Sequence, residues 1–201
     1  MTGVVVVGAG VIGLTCAIEL ARHGNAVTVV ADQPPHRTVS AVAAAIWEPY
    51  DAYPRGQVLR WSMASLAEFQ KLATDPESGV FEREGVVLHR DSTEPAWWTR
   101  TSVGARAATS DELVDGAASG DVCTVPVIVM PIYLEWLLRR CTALGVAFEW
   151  RNLRSLDEVG HGACPIVVAA GLRSGELTGD TQLQPVRGQL VRLTNPGLTR
   201  W

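Results

Sequence analysis

Lysine is almost absent. Lys71 is the only one, and arginine supplies the rest of the 17 basic side chains, set against 21 acidic ones. The formal net charge of −4 is small, so electrostatics give no argument for a nucleic acid or an anionic membrane as partner. Cysteine is scarce too. Cys16, Cys123, Cys141 and Cys164 stand far apart without a C-x-x-C, which argues against a disulfide framework or a zinc site and for free thiols in a reducing compartment. His23, His36, His89 and His161 show no H-x-x-x-H spacing, and no metal ligand is assigned. No run of about 18 apolar residues occurs, so no transmembrane helix is expected. The N-terminus lacks the basic flank of a signal peptide and is broken by glycines. These absences point to a cytoplasmic globular protein, and 201 residues at 47% hydrophobic content suffice for one large domain or two small ones.

What is present is patterned. Residues 3–8 are a valine run between glycines, the pattern of a strand buried on both faces. A helix is expected over 12–23, with Ile12, Cys16 and Leu20 on one stripe and Gly24 closing it. Residues 26–31 (AVTVVA) complete a parallel β-α-β unit. A turn-rich loop follows over 33–38. A long amphipathic helix is expected over 56–74, with Leu59, Met63, Leu66, Phe69 and Leu72 on one side. Strands are expected over 85–90 and 122–130, where Pro126 argues for an edge or a bulge. The polar stretch between them holds one short helix over 110–114. Pro131 opens and Gly145 closes a second clear helix. Strands are expected again over 146–151, 165–170 and 189–193, with a strand end and short helix over 153–159.

The motif that carries chemistry is VVVVGAGVIGL, a G-x-G-x-x-G at Gly8, Gly10 and Gly13. It follows a buried strand and opens a helix, the context in which glycines permit a tight turn, close pyrophosphate approach and close helix–strand packing. The helix N-terminus then offers free N–H groups to phosphate. An acid is expected roughly 20 residues on, and Asp32 stands at the end of the second strand. The pattern implies a dinucleotide and does not separate NAD from FAD. The stretch SAVAAAIWEPY, residues 40–50, is rich in small side chains. It serves equally a helix packed tightly on the sheet or a backbone laid against a flat ring.

Taken in order, VVVVGAGVIGLTCAIEL, SAVAAAIWEPY, PIYLEWLL, LGVAFEWRNLRSL, VVAAGL and LQPVRGQLVRL resemble the D-amino-acid oxidase family of FAD enzymes along essentially the whole chain. The first motif is shared with many flavoproteins, whereas VAAxIWEPY and QPVRGQ are more specific. The resemblance implies an α/β chain: a Rossmann-like FAD-binding domain interleaved with an α+β substrate domain on a mainly antiparallel sheet. Residues 1–75 and 131–184 would be FAD-binding domain, and 76–130 and 185–201 substrate domain. Members of the family are longer, so the C-terminal part is expected to be missing.

The implied reaction converts a D-amino acid to a 2-oxo acid with ammonia, by hydride transfer from Cα to flavin N5, and O2 yields hydrogen peroxide. By resemblance, Gly8, Ala9, Gly10, Val11, Ile12 and Gly13 would hold the pyrophosphate and Asp32 the adenosine ribose. Val39 and Ser40 would contact the phosphate region, and Ala44, Ala45 and Ile46 would run along the isoalloxazine. Leu153 would touch the adenine side, with Ala170 and Gly171 passing close to the cofactor. Two positions depart from the family: Ala45 stands where glycine is common, and Ala170 where threonine often precedes the glycine. The arginine and tyrosine that clamp the substrate carboxylate belong to the family's later half, so no catalytic residue is assigned, and Arg187 and Gln189 are read as structural. The implied partners are a D-amino acid and O2, with a homodimer left open. A non-catalytic remnant, a flavin amine oxidase of the glycine or sarcosine type, and an NAD-binding dehydrogenase domain stand as alternatives.

Overall fold

The computed structural model describes residues 3–49, 51–99, 104–159 and 164–201. In chain order the elements are β1 (Gly3–Val7), α1 (Val11–Arg22), β2 (Ala26–Ala31), α2 (Val39–Val42), β3 (Ala45–Ile46), α3 (Arg55–Leu72), β4 (Val80–His89), β5 (Arg106–Ala107), β6 (Ser119–Ile128), α4 (Met130–Ala143), β7 (Ala147–Trp150), β8 (Ile166–Val168) and α5 (Arg173–Thr178). Short 3₁₀ turns lie at Pro35–Arg37, Ser110–Glu112 and Leu156–Glu158. The chain divides into two compact units, 1–44 with 130–191 and 45–129 with 192–201.

The first unit is a parallel sheet in the order β7-β2-β1-β8. Val6 and Val29 are fully buried at its centre, which is why β1 and β2 are nearly unbroken valine. β8 differs from the expected buried strand: Ile166, Val167 and Val168 are only half-buried, because the strand pairs on one side alone. The stripe expected on α1 is also displaced. Gly13, Leu14, Ala17 and Ile18 are buried, while Ile12 is 65% exposed. The reason is local. A Cβ at Gly13 would stand 1.9 Å from the Gly8 carbonyl oxygen, so the helix is rotated to press Gly13 onto the end of β1, and Ile12 turns outward. On its buried side α1 meets α4, where the Cys141 thiol lies 3.6 Å from the Leu14 carbonyl.

The second unit is built on a ten-residue antiparallel ladder between β4 and β6, from Val80↔Ile128 to His89↔Ser119. Pro126 does not mark an edge strand, because β6 runs between β4 on one side and the short β3 and β5 on the other. It is tolerated because its carbonyl accepts from the Trp47 N–H on the β3 side. The amide and carbonyl of one strand residue point the same way, so the missing N–H falls on that interrupted side and spares the β4 ladder. The core joins Trp47, Leu66, Trp98, Cys123 and Val125, with Trp47 and Trp98 edge to face at 5.6 Å. Buried Asp121 anchors the Trp97–Trp98 turn: its Oδ2 accepts from the Ala96 N–H at 2.9 Å and the Thr99 hydroxyl at 3.2 Å, and lies 3.0 Å from His89 Nε2. Helix α3 belongs to this unit, so the first boundary falls at residues 44–45, whereas the sequence reading puts it at 75. Of the five apolar residues expected on the buried side of α3, only Leu66 is fully buried.

Residues 180–195 form no helix or strand, so the strand expected over 189–193 is absent. Its alternation is real, yet Val191 and Leu193 are 74% and 85% exposed. A strand is a pairing, and no described segment pairs with this one.

Candidate functional site

A cavity of about 400 Å³ in the first unit opens where the carboxyl ends of all four parallel strands meet. Each strand delivers its following residues to the wall: Gly8 to Ile12 after β1, Asp32 after β2, Arg151 and Leu153 after β7, and Ala169 to Arg173 after β8. The chain runs from β1 to β2 on one side while β8 pairs on the other. That reversal is where open α/β sheets leave a crevice for a ligand.

The glycines do separate jobs. Gly8 has φ +116°, and a side chain there would strike the Ala169 carbonyl oxygen at 2.3 Å. Gly13, behind the wall, sets the helix against β1 as described. Helix geometry leaves the first-turn amides of α1 without partners in the helix, and Gly10 provides no side-chain cap. The Val11 N–H is instead taken by Ser40 Oγ at 3.1 Å. The Ser40 hydroxyl can still donate its own proton outward, so a phosphate at the helix end would meet both amides and a hydroxyl.

Asp32 stands half exposed at the end of β2, with Oδ2 3.6 Å from Arg173 Nη1. Leu153 is buried with Val7 and Val30, and Leu156, Ala170 and Leu177 pack on that group. The loop bearing Leu153 is held by Glu158, whose carboxylate accepts from the Arg154 and Ser155 amides at 2.7 and 3.0 Å. Those bonds keep the Glu158 carboxyl below its ordinary pKa. Past β8, the Ala170 N–H donates to Ser174 Oγ, and Gly171 sits at φ +60°.

The wall therefore brings together Gly8, Ala9, Gly10, Val11, Ile12, Asp32, Val39, Ser40, Leu153, Ala170 and Gly171 of the residues singled out from sequence. Ala44, Ala45 and Ile46 do not line it. Ala44 ends the first unit, and Ala45 and Ile46 form β3 of the second. Sequence reasoning missed three arginines in the wall, Arg37, Arg151 and Arg173, set against one acid, Asp32. Position at the end of the strand expected over 146–151 was a signal for Arg151; nothing local marks the other two. Arg151 is matched by Glu149 and Glu158, and Arg173 by Asp32 and Glu176. Among the described residues Arg37 has no acidic partner. Apolar strand ends, free helix amides and surplus positive charge suit a ligand that joins a flat ring to a diphosphate. Among the described residues no group of three or more His, Cys, Asp or Glu could hold a metal ion, and no helix is long and apolar enough to cross a membrane.

Comparison with known proteins agrees with this geometry. Residues 3–200 match the DAO family model, described as FAD dependent oxidoreductase. A D-amino-acid oxidase of Rubrobacter xylanophilus is 44% identical over 198 residues, and one of Streptomyces coelicolor is 39% identical over 201 residues. Each alignment takes in 98% of this chain and 61% of the relative, so the chain spans about three fifths of their length. Glycine oxidases of Geobacillus kaustophilus and Bacillus cereus share the fold, with TM-scores of 0.70 and 0.69 at 18% identity. They align with 92% and 89% of this chain, and with 60% and 58% of their own.

Proposed function

We propose that this chain, which belongs to the DAO family of FAD-dependent oxidoreductases, is the FAD-binding portion of a cytoplasmic D-amino-acid oxidase. One observation carries the reading: the strand–glycine–helix turn, Asp32 and Ser40 converge on a single cavity, in a chain that is 44% identical to a D-amino-acid oxidase along nearly all its length. The residues present fit FAD. The amides of α1 and the Ser40 hydroxyl would hold the diphosphate, Asp32 would bond the adenosine ribose, and Leu153 would meet the purine, all of them lining one cavity. Bound FAD supplies the acceptor for the hydride on the amino acid Cα and passes the electrons to O2.

The first unit is then the FAD-binding domain and the second the beginning of a substrate domain. Ala44, Ala45 and Ile46 carry the chain from one to the other and are assigned to the flavin ring. The two alanine side chains would leave room for a flat ring to lie on the backbone. Orientation of the substrate Cα–H bond, the main contribution of such a site, would fall to the arginine and tyrosine of the family's later half, and no orienting residue is assigned in the second unit.

The test is purification of the protein in the presence of FAD, with its visible spectrum and peroxide output recorded on D-alanine, glycine and sarcosine. A flavin spectrum with retained FAD supports the cofactor assignment, and peroxide from D-alanine in preference to the other two supports the substrate class. Preference for glycine or sarcosine would reassign the substrate. A protein that ignores FAD and takes up NAD would overturn the reading.

A further inference from the structure

We propose that Arg173 determines specificity at the adenosine end of this cavity, pinning the acid and the loop around a purine and offering it the flat face of a guanidinium. This rests on the FAD reading above. The observation is a single side chain tying three strand ends. Arg173 Nη1 donates to Asn152 Oδ1 at 2.7 Å and Nη2 to the Leu153 carbonyl at 2.9 Å. Nη1 also lies 3.6 Å from Asp32 Oδ2, and Nε 3.7 Å from Glu176 Oε2. The segments following β2, β7 and β8 are thus held by one planar cation.

Guanidinium donors lie in the plane of the group, so these bonds fix its orientation and leave its faces free of hydrogen bonds. The side chain is 39% exposed, and it lines the same wall as Leu153 and Leu177. Apolar carbon beside a cationic plane is a surface on which an aromatic base stacks. Asp32 meets Arg173 through Oδ2, and among the described residues its Oδ1 receives no hydrogen bond, so that oxygen is available to ribose hydroxyls. Arg151 cannot substitute, being committed to Glu149 and to Glu158.

The experiment uses ADP and UDP as probes on the cofactor-free protein, by titration calorimetry, with FAD binding followed in parallel by flavin fluorescence. The wild-type protein is expected to prefer ADP to UDP. Arg173→Ala should weaken ADP and FAD by the same factor, about tenfold, and UDP far less. Arg173→Lys keeps a charge near Asp32 but not the two-pronged grip, so it should recover part of the affinity without the purine preference. It also serves if the alanine variant fails to fold. An unchanged ADP-to-UDP ratio in both variants, or an equal loss for both nucleotides, would reduce Arg173 to a structural tie and overturn the proposal. Absence of FAD and ADP binding in the wild-type protein would overturn the cofactor reading, and this inference with it.

Discussion

Gly13 shows how much a single missing side chain carries. Gly13→Ala places a methyl 1.9 Å from a backbone oxygen, and neither the turn nor the strand has a flexible end to give way. The variant should lose about 3 kcal/mol or more of stability and its FAD affinity with it. Gly24 provides the contrast. Its φ is +81° with nothing within 4 Å of an added Cβ, so Gly24→Ala should cost about 1–2 kcal/mol and leave FAD binding intact. Urea unfolding and flavin titration of both variants check this. The thiols make a second test. Burial pushes Cys123 and Cys141 from an ordinary 9.0 to about 11, while Cys16 and Cys164 are partly exposed. A folded thiol with raised pKa keeps its proton where the unfolded one has lost it, so both cysteines contribute stability below about pH 9 that fades between pH 9 and 11. At mildly alkaline pH a thiol reagent should modify Cys16 and Cys164 in the native protein and reach the other two only on unfolding. The glycines and Asp32 were legible in the sequence because their types are tied to their jobs. Arg37 and Arg173 were not, since a surface arginine has no periodic signature, and the wall they join draws on segments far apart in the chain.

At the level of elements, β1, β2 and α4 follow directly from valine runs, glycine stops and the proline in the first turn of α4. The failures have physical causes. The strand expected over 85–90 starts five residues late because Glu82, Arg83 and Glu84 hide the pattern, yet all three pair with β6 across the ladder. Residues 189–193 read as strand because alternation records a preference, not a partner. On α3, spacing alone made five positions equal, whereas packing buries Leu66 fully and brings Phe69 against the same core. Leu66 is 3% exposed against the tryptophan core and Trp61 is 63% exposed on the same helix. Leu66→Ala should therefore destabilise the protein by about 2–5 kcal/mol, and Trp61→Ala should stay within about 0.5 kcal/mol. Thermal melts of the two variants separate packing from periodicity.

For the whole molecule, the two units differ in how they are stitched. The second is continuous except for residues 192–201, whose Trp201 indole N–H returns to the Arg83 carbonyl at 2.9 Å. The segment leading there, 180–195, has neither helix nor strand, and Arg187 and Arg192 are exposed. Limited trypsin digestion should cut first at these two sites, with the sheets of both units surviving. Early cleavage at Arg83, within β4, would contradict this.

The first unit has a further consequence, for synthesis. Its cavity has one wall from residues 7–40 and another from 151–177, and the bond between the Cys164 thiol and the Gly3 carbonyl joins residues 161 apart. On the ribosome, β1, α1 and β2 emerge early with the β8 edge of β1 bare, and that edge waits for a partner about 160 residues further along the chain. Cofactor cannot shorten the wait, because half of what grips it has not yet been made. An all-valine strand edge exposed for that interval invites pairing between nascent chains. The yield of native protein should therefore depend on how quickly the stretch between β2 and β8 is translated.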